Sequence, residues 1–316
     1  MYNLDTKNKK ILSELELNAR IPYSILARKV GISKQVAKYR VEKLEKDEII
    51  QGYNAIIDVN KVAKTIYLVY FKLIKMSSDE EKKWIKDLNQ NVRVALTAKN
   101  AGEWDLTVVI ICKNNQELDS IIKNITRGKS KNIKEKLITS ELESTYFNLK
   151  LLYGQDVEFT TSSVQSIVNL DKKDSLLLNY LAEDCRVSLL DLAKKINMSP
   201  NGVKGKIKAL EKKKLIIAYK AKINYEKLGF LHFRVLLHLD KFTTQLYSKI
   251  KTFLKEKGNV ESVGRYVGYA DVDFRCYAKD IVDFYNLISS IKNEFVENII
   301  EVDSMLIFNW EKIKYN

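Results

Sequence analysis

The sequence predicts an α+β chain built twice over, each copy a three-helix unit followed by a strand-helix-strand-strand-helix-strand unit. Three observations lead there. First, laying Leu4 over Leu170 without gaps, an offset of 166, aligns residues 4–57 with residues 170–223, and about a third of the paired positions are identical. Second, many of the matches are apolar at helical spacing, among them Leu12/Leu178, Leu15/Leu181, Leu26/Leu192 and Leu44/Leu210, as a shared helical core requires. Third, the likeness continues more weakly into strand-like stretches, where the same offset places Gly102 on Gly268 and Asp105 on Asp271. The repeat is therefore about 150 residues long, too long for a solenoid repeat and right for a two-part module. A chain of 316 residues, 46% of them hydrophobic, has enough apolar surface to give several parts their own cores.

The first part of each copy reads as three helices. In copy one, Asp5 caps a helix that turns Ile11, Leu12 and Leu15 inward, and a second helix starts near Tyr23 with Leu26, Ala27 and Val30 inward. Gly31 allows a tight turn. Ser33 caps a third helix whose buried stripe is Ala37, Val41 and Leu44, leaving Lys34, Gln35, Lys38, Tyr39 and Glu42 toward solvent. Helix, short Gly-containing turn, helix is the helix-turn-helix pattern, and the alternation from Ile49 to Asp58 predicts a short hairpin as its wing. Copy two repeats the scheme with Ser199 as cap, Pro200 at the first helical position, and Val203, Ile207 and Leu210 inward.

The second part of copy one predicts a strand from Ile66, a helix over Asp79 to Leu88, strands over Val92 to Ala98 and Trp104 to Cys112, a helix over Glu117 to Thr126, and a last strand from Ile133. In copy two the same elements fall at Phe230 to Leu239, Thr243 to Lys257, Val260 to Tyr266, Val272 to Ala278, Ile281 to Asn293 and Ile299 to Phe308. That order is the ferredoxin-like βαββαβ sandwich. The predicted boundaries are a winged helix-turn-helix over 1–60, a ferredoxin-like domain over 61–153, a linker over 154–169 without Lys or Arg and rich in Ser and Thr, a second winged helix-turn-helix over 170–226, and a second ferredoxin-like domain over 227–316.

Charge narrows the functional classes. The formal net charge is +14, and residues 4–57 hold 11 basic and 7 acidic side chains while residues 170–223 hold 13 and 6, so these two stretches carry +4 and +7 of it. No stretch approaches the roughly 18 to 20 apolar residues of a membrane span, and the start MYNLDTKNKK lacks the apolar core of a signal peptide, so a cytoplasmic protein with no membrane partner is expected. Cys112, Cys185 and Cys276 are far apart and form no CxxC pair, which argues against a disulfide framework or a metal site. No cofactor is expected.

The residues LDxxxxxILxxLxxNAR, then LAxxVGIS, then VxKLExxxIIxGYxAIID, with a GxWD or GxxD loop downstream, resemble the Lrp/AsnC family of transcription regulators. The resemblance covers nearly the whole chain twice and is more specific in the helix-turn-helix parts. It implies a winged helix-turn-helix joined to a ferredoxin-like effector domain that pairs through its sheet, and a small-molecule effector, an amino acid or related metabolite, bound near the Gly-Asp loop. Members usually carry one unit per chain and dimerise. Two units in one chain imply an internal pseudo-dimer, with further self-association left open.

Double-stranded DNA is the expected partner. The N-terminal residues of a recognition helix reach base edges while flanking groups grip phosphates, which nominates Ser33, Lys34, Gln35, Lys38, Tyr39 and Arg40 in copy one and Ser199, Asn201, Lys204, Lys206 and Lys208 in copy two. Gln suits adenine and Lys suits guanine, whereas Tyr39 and Arg40 suit packing or backbone contacts. Gly202 and Gly205 loosen the second helix and point it toward phosphate gripping. The same side chains also suit a plain solvated face. For the effector, Gly102, Trp104, Asp105, Gly268 and Asp271 are candidates, against the alternatives that the Gly-Asp pairs form turns and Trp104 fills the core. Two rival functions stand beside the regulator. One is a nonspecific architectural DNA protein. The other is an enzyme, because the tetrapyrrole-processing siroheme decarboxylases resemble the same family in paired units and use His, Arg and Tyr side chains. Here the two histidines, His232 and His238, share one face of a predicted strand, and VESVGRYVGYAD offers Arg265 and Tyr266 but no His, which leans against catalysis.

Overall fold

The computed structural model describes residues 2–152, 157–161 and 167–311, with side chains described through 308. Each helix-turn-helix head is three helices and a strand. In copy one α1 (Thr6–Leu17), α2 (Tyr23–Val30) and α3 (Lys34–Lys46) lead into β1 (Ile50–Ile57), and in copy two α6 (Lys172–Glu183), α7 (Leu189–Ile196) and α8 (Pro200–Lys212) lead into β7 (Ile216–Ile223). The capping residues do what their chemistry suggests: Asp5 accepts from the Asn8 N–H at 2.7 Å and Asp171 from the Asp174 N–H at 2.6 Å, each satisfying an orphan donor of a first helical turn.

The segment Ile49 to Asp58 does not fold back on itself. It is one strand, and it pairs antiparallel with its duplicate, Ile50 opposite Ile223 and Ile57 opposite Ile216. The wing expected as a hairpin inside each head is therefore a single two-stranded ribbon shared by both. The segment contains no Asn-Gly or Asp-Gly pair to turn it, and its unpaired N–H and C=O groups find their complement in the other copy. The exchange continues around the ribbon, where the Ala19 N–H donates to the Tyr219 carbonyl and the Cys185 N–H to the Tyr53 carbonyl, both at 2.8 Å. Arg20 lies over the Tyr219 ring and Arg186 over the Tyr53 ring, at 5.5 and 4.9 Å, an approximate two-fold in side chains as well as backbone. Leu12, Leu15 and Leu44 consequently share one core with Leu178, Leu181 and Leu210. Truncating any of these to Ala costs about 2–5 kcal/mol, felt by both heads.

The second parts follow the βαββαβ order. Copy one contributes β2 (Thr65–Leu73), α4 (Ser78–Gln90), β3 (Val94–Gly102), β4 (Leu106–Cys112), α5 (Asn115–Ile125) and β5 (Ile133–Phe147), and copy two β8 (Leu231–Leu239), α9 (Thr244–Lys257), β9 (Val260–Val267), β10 (Val272–Ala278), α10 (Ile281–Glu294) and β11 (Ile299–Glu311). The two sheets join at both edges, through β3–β11 and β5–β9, and the order β2-β4-β3-β11-β8-β10-β9-β5 closes through β2–β5 into an antiparallel barrel. Closure leaves neither sheet a free long edge. Alternation along each strand then has two apolar destinations. Val69, Phe71, Val108 and Ile110 face α4 and α5, their counterparts Val235, Leu237, Phe274 and Cys276 face α9 and α10, and Leu68, Tyr70, Leu236 and Met305 point into the barrel.

The segment 154–169, expected as a linker, is partly ordered: β6 (Glu158–Thr160) pairs with β5, Thr160 opposite Thr145. Residues 154–156 and 162–166 of it, like residue 153 and the end of the last segment at 312–316, lie outside the described residues. Among the described residues no helix is long and apolar enough to cross a membrane.

Gly102 and Gly268 sit at the two seams of the barrel. With φ of +138° and +127°, they occupy backbone conformations that L side chains rarely adopt, and an added Cβ would lie 2.6 Å from the Ser304 carbonyl oxygen and 2.7 Å from the Ile138 carbonyl oxygen. Their role is close backbone approach between the copies. Gly102→Ala is accordingly expected to lower the free energy of unfolding by about 1–3 kcal/mol, measured by urea denaturation. Unchanged stability would mean that this seam tolerates strand separation.

Candidate nucleic-acid interface and barrel-mouth cavity

The recognition helices are capped alike and exposed alike. Ser33 Oγ accepts from the Val36 N–H at 3.2 Å and Ser199 Oγ from the Gly202 N–H at 3.1 Å, so both serines fix helix starts with their oxygens and leave only the hydroxyl hydrogen to donate outward. Ala37, Val41 and Leu44 in α3, and Val203, Ile207 and Leu210 in α8, turn inward. This leaves Lys34, Gln35, Lys38 and Tyr39 exposed on one helix and Asn201, Lys204 and Lys208 on the other. Lys38 spans 3.6 Å to Glu42 one turn on, a solvated pair that constrains it little.

Two nominated cations are engaged elsewhere. Arg40 donates to Asp5 at 2.7 Å and to Asn8 at 2.9 Å, and Lys206, its duplicate, donates to Asp171 and Asp174, both at 2.7 Å. These contacts tie each recognition helix to the start of its head's first helix. The Asp5 carboxyl is held below its ordinary value by the Asn8 N–H and then by Arg40, and that of Asp171 by Lys206 and then by the Asp174 N–H. Sequence spacing puts Arg40 and Lys206 on the recognition helices but does not reveal that a first-turn carboxylate lies opposite both.

The Gly-Asp loops are built identically. Asp105 Oδ2 accepts from the Leu73 N–H at 2.7 Å and Asp271 Oδ2 from the Leu239 N–H at 2.8 Å, each carboxylate stitching its loop to the end of the copy's first strand. Trp104 precedes β4 rather than belonging to it and is 2% exposed, packed against Tyr70 and edge-on to Tyr269 at the base of the barrel. Gly102, Trp104, Asp105, Gly268 and Asp271 thus shape loops, seams and core. None of them lines the cavity beneath the ribbon.

That cavity, of about 300 Å³, opens at the other end of the barrel, roofed by the ribbon at Gln51, Asn54 and Ile56 and by Lys220 to Asn224. Its walls are unequal. Ile66 and Leu68 on β2 stand where copy two has His232 and Arg234 on β8, and Val109 and Ile111 on β4 where copy two has Arg275 and Tyr277 on β10. At these four positions copy one supplies hydrocarbon where copy two supplies His, Arg and Tyr side chains. Arg234 faces Asp273 at 3.2 Å, and Arg275 faces Glu261 at 3.5 Å and donates to Ser262 Oγ at 2.9 Å. Burial alone would raise the Glu261 carboxyl, but Arg275 and His232 beside it outweigh burial and hold it below its ordinary value. Burial lowers the His232 imidazole further than Glu261, at 3.6 Å, raises it, which keeps the ring neutral near pH 7. His238 lies on the same strand face but at the base, 3.0 Å from Asp303, whose carboxylate also accepts from Tyr269 at 2.6 Å. Tyr266 points inward and donates to Glu141 at 3.0 Å, while Arg265 lies over the Phe242 ring at 5.8 Å.

Glu16 and Glu141 were not singled out by sequence spacing. Glu16 comes from the buried face of α1 and is 3% exposed; Tyr225 donates to its Oε1 at 3.2 Å and Lys220 stands at 3.8 Å, while its Oε2 has no hydrogen-bonding partner among the described residues. Glu141 is 6% exposed, and its Oε1 is equally unpartnered. A charged residue on an otherwise apolar helix face is the signal that could have found Glu16.

Duplicated heads with exposed, capped recognition helices define a tandem winged helix-turn-helix protein. A winged helix-turn-helix DNA-binding model matches residues 4–51 and 170–217. An HTH-type transcriptional regulator of Pyrococcus furiosus is 33% identical over 141 residues, 44% of this chain and 91% of the relative. The regulatory protein AsnC of Haemophilus influenzae is 30% identical over 122 residues, 39% of this chain and 81% of the relative. The chain belongs to the Lrp/AsnC family, with two units where such relatives have one. Among solved structures, the siroheme decarboxylase NirDL superposes over 98% of this chain and 94% of its own with a TM-score of 0.65 at 15% identity, a shared fold across the whole tandem.

The buried carboxylates make stability depend on pH. Burial pushes the Glu16 carboxyl from 4.5 to about 7, Lys220 only partly opposing it, and Glu141 is raised for the same reason. Between those values the folded protein keeps a proton that the unfolded chain has lost, so stability falls as pH rises through the window. Glu16→Gln, which retains an acceptor for Tyr225, is expected to flatten that fall and to be more stable than the parent at pH 8 by on the order of 3 kcal/mol, read from urea midpoints at pH 4.5 and 8. An unchanged difference between the two pH values would place the Glu16 carboxylate in water.

Proposed function

We propose that the chain is a transcription regulator that grips duplex DNA with both heads as one rigid reader, the first head reading bases and the second holding phosphates. The observation that carries this is the pair of recognition helices whose N-terminal halves are capped, exposed and rich in amide and ammonium groups, mounted on a single shared core. Lys34, Gln35 and Lys38 present a mixed polar edge suited to base contacts, with Tyr39, 65% exposed, beside them for the sugar-phosphate backbone. Lys204 and Lys208, with Asn201, present a nearly uniform ammonium edge suited to phosphate. Arg40 and Lys206 act as positioning residues, holding each recognition helix against its head. The family reading brings with it a small-molecule effector.

If about six to eight phosphates are neutralised, log affinity falls against log salt with a slope of roughly −5 to −7. Lys204→Ala with Lys208→Ala should reduce that slope by about 2 and weaken all sequences alike, whereas Gln35→Ala should cost about 1–3 kcal/mol on the preferred site and little on random duplex. Fluorescence anisotropy across a salt series measures all three. A slope near zero contradicts DNA binding by these heads, and equal losses for Gln35→Ala on both duplexes contradict base reading by the first.

A further inference from the structure

The cavity at the barrel mouth has the marks of a ligand site. It is enclosed by barrel strands below and the shared ribbon above, and its volume of about 300 Å³ is at the lower end for small-molecule sites, which suits a compound of amino-acid size. Its lining brings the carboxyls Glu16, Glu141, Glu226, Glu261 and Asp273 together with Lys220, Lys222, Arg234 and Arg275. Arg234 and Arg275 already face Asp273 and Glu261, and the neutral His232 adds no charge, so an incoming anion would have to compete with pairs already made. Glu16 Oε2 and Glu141 Oε1 are the reverse case: each is on a side chain more than nine-tenths buried, makes no hydrogen bond among the described residues, and belongs to a carboxyl raised by burial that an incoming cation would return to its ionised form. Such groups cost free energy unless a donor meets them. The opposite wall, Ile66, Leu68, Val109 and Ile111, offers hydrocarbon.

We propose that the barrel mouth binds a small aliphatic ammonium compound, its charged groups on Glu16 and Glu141 and its hydrocarbon chain on the wall supplied by copy one. The roof of the site is the ribbon that joins the two heads, so a compound that binds the DNA-bound and DNA-free forms unequally shifts the DNA-binding equilibrium by that difference. The site deepens the regulator reading and rests on it only for this consequence at DNA.

Isothermal titration calorimetry on the DNA-free full chain tests the site, with 1,5-diaminopentane as probe and glutarate as its charge-reversed counterpart of equal chain length. The expected result is saturable binding of the diamine at one site per chain, no binding of glutarate, and at least tenfold weaker diamine binding in Glu141→Gln and in Glu16→Gln, two near-isosteric variants whose folding is checked by circular dichroism. Absence of saturable diamine binding, binding of glutarate instead, or diamine affinity unchanged in both folded variants would overturn the assignment. Because DNA is absent, none of these outcomes depends on the regulator reading. Anisotropy with labelled duplex then reports separately whether the diamine alters DNA affinity.

Discussion

Backbone pairing between the two copies is the constraint on which the rest of this structure depends. It occurs at three places, the ribbon β1–β7 and the barrel seams β3–β11 and β5–β9. Each satisfies a strand edge that a lone copy would expose, and none can be made by one copy alone. In a protein with one unit per chain such pairing costs association entropy and depends on concentration. Here the partner is covalently tethered, with an effective concentration in the millimolar range for short linkers, so the paired state is favoured at any dilution. Single-copy stability is consequently not a meaningful quantity for this chain, because the core of each head is completed by the other.

Tethering also releases the two copies from identity. Backbone geometry is retained at the same offset through almost every element, while the side chains have diverged in two places. On the recognition helices, a mixed Lys-Gln-Lys edge faces a Pro- and Gly-containing, Lys-rich one. Inside the barrel, Ile66, Leu68, Val109 and Ile111 face His232, Arg234, Arg275 and Tyr277. A true homodimer could do neither, since every apolar wall position would also be the opposing polar one.

Much of the fold was legible in the sequence because it rests on local signals. Helix stripes such as Ala37, Val41 and Leu44, caps such as Asp5 and Ser33, and strand alternation such as Val69 to Phe71 need no knowledge of partners. The elements that local signals leave open needed such knowledge. Nothing local in Ile49 to Asp58 distinguishes half a hairpin from half a shared ribbon, and nothing local at Gly102 or Gly268, candidates for a turn or for ligand approach, reveals the β-seam they allow, which lies more than a hundred residues away in each case. Trp104 and Asp105 fell to the same ambiguity between loop and pocket. Most of the cavity was invisible for a further reason: Glu16, Glu141, Arg234 and Arg275 come from one helix and three strands of two repeats, a constellation without any sequence spacing to betray it.

The central claim is that one chain presents two unlike DNA-reading heads in fixed relation. Its most direct test is selection of the preferred site from random duplexes, followed by the mass of the protein-DNA complex in solution. The account predicts an asymmetric site of two unlike half-sites, centred about one helical turn or a multiple apart and filled by a single chain. A palindromic site filled by two chains, each contributing the same head, would contradict it.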